Sequence, residues 1–196
     1  MKSIVLASAS PRRKQLMEQA GYRFSVAVSD VDESRFEAER VDSAEFAKRL
    51  AMAKAKAIAA KYTDSIVIGA DTVVDFQGRI VGKPANKNEA EEMTRKLFSR
   101  PHKVITALAI VRLSDGIEIV DSDTTWVYPR ELTEEQIADH IKSNNWKGRA
   151  GAYGIKEKGE EFVERIEGSF TNVCGMPMEL LEKMISYCDR IHRRDR

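Results

Sequence analysis

Residues 65–81, SIVIGADTVVDFQGRIV, contain the pattern from which the fold class follows. The apolar run over 65–76 predicts a strand, and Gln77-Gly78 forms a two-residue turn into a second strand at 79–81. The preceding segment, 43–61, has apolar residues at helical spacing and predicts a helix. Hairpins give antiparallel neighbours whereas strand-helix-strand units give parallel ones, so this region predicts a mixed sheet.

Strands and helices continue to alternate on both sides of this region. Further strands are predicted at 3–7, 104–113, 117–127, 162–166 and 170–174, and further helices at 11–20, 88–98, 134–143 and 177–189. We therefore expect one α/β domain over residues 1–196, with a mixed central sheet flanked by helices and two lobes around a cleft. Charged residues dominate from about residue 186, and RIHRRDR at 190–196 predicts a frayed tail.

Composition and charge exclude several classes of protein. The 196 residues are 42% hydrophobic and 32% charged, and no apolar run approaches the roughly 20 residues that cross a bilayer. The N-terminus lacks the features of a secretory signal, so we expect a cytoplasmic protein. The net charge of +1 and the lack of a basic stripe with interleaved aromatics disfavour a nucleic-acid binder. Two cysteines, Cys174 and Cys188, are too few for a disulfide framework or a zinc site.

The turn after the first predicted strand has the composition of an anion site. Ser10 is placed as the N-cap of the helix at 11–20, with Pro11 at its first position. A helix N-terminus presents unpaired N–H groups and a partial positive charge, and Ser8, Arg12 and Arg13 add further donors beside it. The alternative is an ordinary Ser-Pro cap followed by solvated arginines.

Lys54 interrupts the apolar face of the second predicted helix. Phe46, Leu50, Lys54 and Ile58 lie four residues apart and so share one helix face. The lysine could face a cleft as a cation, or its stem could pack at the edge of the apolar stripe with the ammonium in solvent.

Asp71 lies inside the apolar strand at 65–76. A buried carboxylate is unfavourable unless it is paired, hydrogen-bonded or bound to a metal, which favours a functional role. Thr72, the next residue, is expected on the opposite face of the strand or at its edge.

Two glycine-containing segments complete the set of candidates. Gly82 and Pro84 hold Lys83 in a turn within VGKPAN, and GRAGAYGIKEKG at 148–159 is slim enough for a ligand to approach its backbone. Neither segment matches a P-loop or a GxGxxG fingerprint, and either could be a simple turn.

The candidate residues together suit a polyphosphate bound with a divalent metal. Arg12, Arg13, Lys54 and Lys83 supply four cations, and Asp71 supplies a carboxylate. Phosphoryl chemistry needs positive groups against phosphate oxygens and a metal or base that prepares the attacking water. A Ser-His-Asp hydrolase is disfavoured because the three histidines are scattered and no serine lies in a GxSxG motif.

The chain resembles the Maf nucleotide pyrophosphatases in seven ordered segments that extend nearly to residue 181. The segments are LASASPRR (6–13), RLAMAKAKA (49–57), IGADTVV (68–74), GKP (82–84), TALAIV (106–111), AGAYGI (150–155) and IEGSFTNVCGMP (166–177). Each segment is a weak signal alone, whereas the ordered set is highly specific.

The resemblance implies a Maf/ITPase-like α/β fold with a central cleft, frequent homodimers, and hydrolysis of a nucleoside triphosphate to the monophosphate and pyrophosphate with Mg or Mn. It makes Asp71 the proton acceptor and a metal ligand, and Lys54 and Lys83 catalytic groups on the phosphate side. The resemblance also assigns Ser8, Arg12 and Arg13 to a phosphate-binding turn, and Glu33 to an acidic position near metal or water.

Arg12, Thr72 and the AGAYGI segment are similar to the branch of the family that acts on dTTP and UTP. That branch normally has Gln after AGAYGI, whereas this chain has Lys156. Gln can donate to a base carbonyl and accept from a base N–H, but lysine only donates, so Glu157 or a backbone carbonyl would have to accept from N3 of the pyrimidine. A nucleotide-binding regulator of cell division with little catalysis is the alternative function, because family members have been linked with septum formation.

Overall fold

A computed structural model of the protein describes residues 3–36, 41–153 and 162–194. Its strands are β1 (Ile4–Leu6), β2 (Ser25–Val26), β3 (Ile66–Phe76), β4 (Arg79–Val81), β5 (His102–Arg112), β6 (Ile117–Pro129) and β7 (Val163–Glu167). Its α-helices are α1 (Pro11–Gln19), α2 (Ser43–Ala59), α3 (Lys87–Leu97), α4 (Glu134–Lys142), α5 (Phe170–Val173) and α6 (Met178–Arg194). None of the helices in these ranges combines the length and the apolar character that crossing a bilayer requires.

The seven strands form one mixed sheet, as predicted. Its order is β2-β1-β3-β5-β6-β7, and β4 pairs with β3 as the short arm of a hairpin. β1 runs parallel to β2 and β3, whereas the other neighbours are antiparallel. In the long pairing of β3 with β5, Asp71 lies opposite Ala107 and Thr72 opposite Thr106. On the other edge of β3, β1 pairs with residues 66–68 and β4 with residues 74–76, so Asp71 and Thr72 lie between these two pairings.

Helices cover both faces of the sheet. Val67 packs with Ala55 of α2 in one apolar cluster. Ile68, the next residue of β3, packs with Met17 of α1 and Leu181 of α6 in another. Successive side chains of a strand point to opposite faces, so odd positions of β3 lie on the α2 side and even positions on the side that α1 and α6 cover. This alternation places Asp71 on the α2 side.

Local signals fix the start of the helices that were predicted from sequence. Ser10 caps α1 and its side chain accepts from the backbone N–H of Arg13, with Pro11 at the first helical position. Thr133 and Gln136 form a reciprocal capping box at the start of α4. The turn before α1 is therefore a genuine helix N-terminus.

Two sequence predictions about the C-terminal region were wrong. Residues 170–174, predicted as a strand, contain the short helix α5, whose N-cap Ser169 accepts from the backbone N–H of Asn172 at 3.2 Å. An apolar run this short does not distinguish strand from helix by its periodicity. Helix α6 continues to Arg194, five residues past the predicted end at Asp189, and includes most of the segment predicted as a frayed tail. Apolar periodicity marks the buried part of a helix, and the helical backbone can continue beyond that part.

Helix α2 lies directly on the backbone of β3 at Gly69. A Cβ atom at Gly69 would lie 2.2 Å from the carbonyl oxygen of Ala51 and 2.8 Å from the backbone nitrogen of Ala55. Neither backbone atom can move away without displacing the helix. The spacing between α2 and β3 therefore depends on the absence of a side chain at this position.

We expect Gly69→Ala to lower the free energy of unfolding by about 1–3 kcal/mol or more, because the methyl group would overpack a rigid backbone contact. Urea unfolding followed by circular dichroism measures the change. Gly82→Ala is the matched control, since a Cβ atom there meets nothing within 4 Å. Equal stability of the two variants would contradict the close approach of α2 to β3.

Candidate active site

A cleft of about 670 Å³ opens beside the turn between β1 and α1. It is lined by eight residues that the sequence singled out: Ser8, Arg12, Arg13, Glu33, Lys54, Asp71, Thr72 and Lys83. The ninth, Lys156, lies outside the described residues, as does Glu157. The structure therefore brings together residues that lie up to 75 positions apart in the chain.

Lys54 points from α2 into this cleft, with 12% of its side chain exposed. Its Nζ donates to Oδ1 of Asp71 at 2.7 Å and lies 2.8 Å from Oε1 of Glu33. The ammonium group thus joins two carboxylates, which resolves the choice between a cleft-facing cation and a solvent-facing lysine. Because α2 packs directly against β3, the side chain of Lys54 is long enough to contact Asp71.

Asp71 is a buried carboxylate with 10% of its side chain exposed. Burial raises the pKa of Asp71 above its ordinary value, although the charge and hydrogen bond of Lys54 and the charge of Arg13 oppose the rise. A carboxylate with a raised pKa is a stronger base than one in solvent. Asp71 therefore has the position and the basicity that a proton acceptor in this cleft requires.

Glu33 lies at the rim of the cleft, in a 3₁₀ turn that Asp32 caps. Burial alone would raise the pKa of Glu33, but hydrogen bonds and charges of Lys54 and Lys83 outweigh it and leave the pKa lowered. Oε2 of Glu33 is 3.7 Å from Nζ of Lys83, and about half of each side chain is exposed. A pair this exposed contributes little to stability, so Lys83 can turn toward a ligand at small cost.

Arg13 is held by the protein on three sides. Its Nε donates to the carbonyl of Gly175 at 2.8 Å, and its Nη1 donates to Ala70 O at 2.9 Å and to Ser8 Oγ at 3.0 Å. Its Nη2 donates to Oγ1 of Thr72 at 3.0 Å. A guanidinium has five N–H donors, so at most one remains for a ligand. Arg13 mainly fixes the turn, and burial lowers the pKa of Arg13 against the charges of Asp71 and Glu33.

Ser8 keeps a donor for an anion. Its Oγ accepts from Nη1 of Arg13 and, at 3.3 Å, from the backbone N–H of Ser10. A hydroxyl has one hydrogen and two lone pairs, so neither of these contacts uses the hydrogen of Ser8, which can donate to an anion. It would do so beside the N-terminus of α1, where backbone N–H groups favour negative charge.

Thr72 lies on the face of β3 opposite Asp71, as strand alternation predicts. Its contacts are Arg13 and, at 3.0 Å, Oγ1 of Thr106 on the neighbouring strand. Thr72 thus lines the cleft and also accepts from the arginine that holds the turn.

The sequence singled out the segment at 148–159 for its glycines, and the structure adds two cations from the same region. Lys147 and Arg149 both line the cleft and flank Gly148, whose φ of 71° favours glycine. The sequence signal for these cations was KGR at 147–149, with one basic residue on each side of a glycine. The cleft therefore carries more positive charge than the sequence alone suggested.

The donor set suits a divalent metal that arrives with a phosphate ligand. Within residues 3–36, 41–153 and 162–194, no three His, Cys, Asp or Glu side chains are grouped to hold a metal ion. Glu33 and Asp71, however, converge on the same point, the ammonium of Lys54. Mg²⁺ is commonly held by one or two carboxylates together with phosphate oxygens and water. These two carboxylates fit that role.

Several known proteins are similar to this chain over most of its length. Residues 3–188 match a family described as Maf-like protein. A "dTTP/UTP pyrophosphatase" of Geobacillus sp. (strain WCH70) is 45% identical over 178 residues, which are 91% of this chain and 94% of that protein. A protein of the same description from Symbiobacterium thermophilum is 39% identical over 186 residues, 95% of this chain and 94% of that one.

Among solved structures, the Ham1 protein of Staphylococcus aureus aligns with a TM-score of 0.45 at 16% identity, covering 65% of this chain and 72% of that one. The family match extends over nearly the whole described chain, from the opening turn to helix α6, and the two relatives span it as well. The chain belongs to the Maf family.

Proposed function

We propose that this protein is a nucleoside triphosphate pyrophosphatase that hydrolyses dTTP and UTP to the monophosphate and pyrophosphate. The main support is the contact of Lys54 with both Asp71 and Glu33 beside the anion-binding turn. Relatives that carry the description "dTTP/UTP pyrophosphatase" cover more than nine-tenths of the chain. A buried base next to several cations is what hydrolysis of a phosphoanhydride requires.

In this mechanism Asp71 accepts a proton from the attacking water. The water oxygen forms a bond to the α phosphorus, the bond from that phosphorus to the bridging oxygen breaks, and pyrophosphate leaves with the bridging oxygen. Lys54 and Lys83 neutralise the negative charge that grows on the leaving group, while Ser8 donates to a phosphate oxygen.

A Mg or Mn ion held by Asp71 and Glu33 would neutralise phosphate charge and favour ionisation of the water. Lys54 then has a second task, since its ammonium lies between the two carboxylates and reduces their mutual repulsion before the ion binds. Arg13 keeps Ser8 in place, and Arg12 lines the cleft beside the phosphates.

A homodimer and a cytoplasmic location, which the resemblance and the N-terminus suggested, stay predictions. So does the base preference. Lys156 stands where the dTTP/UTP branch normally has Gln, and it lies outside the described residues.

The proposed activity is tested by incubating the purified protein with dTTP, UTP, the other common nucleoside triphosphates and modified pyrimidine triphosphates. Each is assayed with Mg, with Mn and with EDTA, and pyrophosphate and monophosphate are quantified. We expect equal amounts of both products from dTTP and UTP, and none with EDTA. Diphosphate and inorganic phosphate as products would overturn the assignment. Tight nucleotide binding without turnover would favour the regulator of cell division instead.

We expect Lys156→Gln to raise kcat/KM on UTP and dTTP, because Gln can accept from N3–H of the base whereas lysine cannot. A gain of about 10-fold would correspond to one recovered hydrogen bond. The same assay with ATP serves as the control, since adenine has no such N–H. An unchanged preference across nucleotides would mean that this side chain does not read the base.

A further inference from the structure

A chain of hydrogen bonds leads from the candidate site into the interior of the protein. Nη2 of Arg13 donates to Oγ1 of Thr72, which lies 3.0 Å from Oγ1 of Thr106. Oγ1 of Thr106 donates to the main-chain oxygen of Asn172 at 2.8 Å. Thr106 and Asn172 are fully buried and do not line the cleft. The chain therefore connects a surface site with two residues that no ligand would touch.

The direction of each bond in this chain follows from counting hydrogens. A threonine hydroxyl has a single hydrogen. Thr106 uses its hydrogen on Asn172, so it can only accept from Thr72. Thr72 thereby uses its own hydrogen on Thr106 and can only accept from Arg13. The lone pairs of Thr72 Oγ1 are thus left to accept from the guanidinium of Arg13.

The chain closes into a ring through Gly175. The backbone N–H of Gly175 donates to the main-chain oxygen of Asn172 at 2.8 Å, and the carbonyl of Gly175 accepts from Nε of Arg13. Nη2 and Nε of the guanidinium are therefore both linked to the main-chain oxygen of Asn172. Nη2 is linked through the two threonines and Nε through Gly175. Such a ring leaves Arg13 little freedom to turn.

Asn172 is fixed in turn by contacts with two strands. Its Oδ1 accepts from the backbone N–H of Thr106, and its Nδ2 donates to Val104 O and to Oγ1 of Thr125. Buried polar groups that are satisfied in this way rigidify their surroundings. The position of Asn172, and so of the ring, is set by β5 and β6 rather than by the loop around Gly175.

We propose that Thr106 and Asn172 are positioning residues for phosphate binding, acting through Thr72 and Arg13. They orient the Thr72 hydroxyl so that it accepts from Arg13, and Arg13 in turn holds Ser8 with its hydrogen free for a phosphate oxygen. This role rests on the proposed function, because it assigns the ring to the pyrophosphate end of that substrate.

Thr106→Val tests this role, since it removes the hydroxyl and keeps the shape. We expect kcat/KM for dTTP and UTP to fall about 5- to 20-fold, as expected for a lost hydrogen bond in a charged network. The ratio between the two nucleotides should stay unchanged, and inhibition by inorganic pyrophosphate should weaken by a similar factor. Thr106→Ser, which keeps the hydroxyl, should restore both values.

Thr94→Val is the matched control. Thr94 is also fully buried, and its Oγ1 donates to the Ala90 carbonyl within α3 at 2.7 Å. It should leave kcat/KM and pyrophosphate inhibition unchanged, and thermal unfolding reports any loss of stability in either variant. Thr106→Ala replaces the valine variant if that one does not fold.

Wild-type values in Thr106→Val, or an equal loss in Thr94→Val, would overturn the positioning role. If the wild-type protein releases no pyrophosphate, the proposed function fails separately. In that case, calorimetric titration of inorganic pyrophosphate into the wild type and Thr106→Val tests the positioning role on its own. Equal affinities, including no binding to either, would reject the positioning role, and weaker binding to the variant would support it.

Discussion

Asp71→Asn is expected to lower pyrophosphate release by about 10²- to 10⁴-fold, the usual contribution of a positioned general base. Asn has nearly the same size but cannot accept the proton from water. The measurement is kcat with saturating dTTP and Mn, together with a circular dichroism spectrum that checks the fold. Asp75→Asn is the matched control, because Asp75 is a buried carboxylate on the same strand that binds Ser43 and the Gly78 N–H.

The pH dependence of the wild type and the Asp71 variant gives an independent check. Burial raises the pKa of Asp71, so kcat/KM of the wild type should fall as the pH drops through that raised pKa. The folded state binds this proton more tightly than the unfolded state does. The wild type should therefore lose stability relative to Asp71→Asn as the pH rises from the ordinary aspartate pKa to the raised one. A flat difference in stability across this interval would contradict the burial of a titrating carboxylate.

Lys54→Met is expected to impair activity and stability together. It removes the cation shared by Asp71 and Glu33 and leaves Asp71 buried near a like charge. Above the raised pKa of Asp71 we expect a loss of about 3 kcal/mol in the free energy of unfolding. The acid limb of the kcat/KM profile should move to higher pH, because the neighbouring positive charge is gone. Urea unfolding and a pH series measure the two effects.

Lys56→Met provides the comparison on the same helix. Lys56 pairs with Glu118 at 2.6 Å, but nearly half of each side chain is exposed. Such a pair contributes about 0–1 kcal/mol, and the variant should keep the wild-type pH profile. If Lys54→Met also kept that profile, Asp71 would not be the titrating base.

The sequence predicted the sheet and most of the site because both depend on patterns along single elements. Asp71 interrupts an apolar strand and Lys54 interrupts an apolar helix face, and the structure joins the two. Contacts between distant segments left no such pattern. Arg13 and Gly175 are 162 residues apart, and nothing in either segment indicates that a guanidinium meets that carbonyl. Periodicity identifies the face on which a residue lies, but not the residue it meets there.

The error at 170–174 had the same origin. The segment is apolar and short, and its helix depends on Ser169 as a cap and on the burial of Asn172 among strands β5 and β6. The segment is one of those that resemble the Maf family, but nothing in its sequence indicates a contact with the opening turn. Its tertiary contacts, rather than its local propensity, decided its conformation.

The glycine under helix α2 also determines how far Lys54 lies from the carboxylate it contacts. The nitrogen of Lys54 reaches Asp71 because the helix backbone lies against the strand at Ala51 and Ala55, close to the residue that carries the ammonium. A helix held one methyl group farther away would need a longer side chain to make the same 2.7 Å contact. Three residues without functional groups, Ala51, Ala55 and Gly69, thus set the distance that the side chain at position 54 has to span. The ion pair between Lys54 and Asp71 therefore depends on the distance between the backbones of α2 and β3.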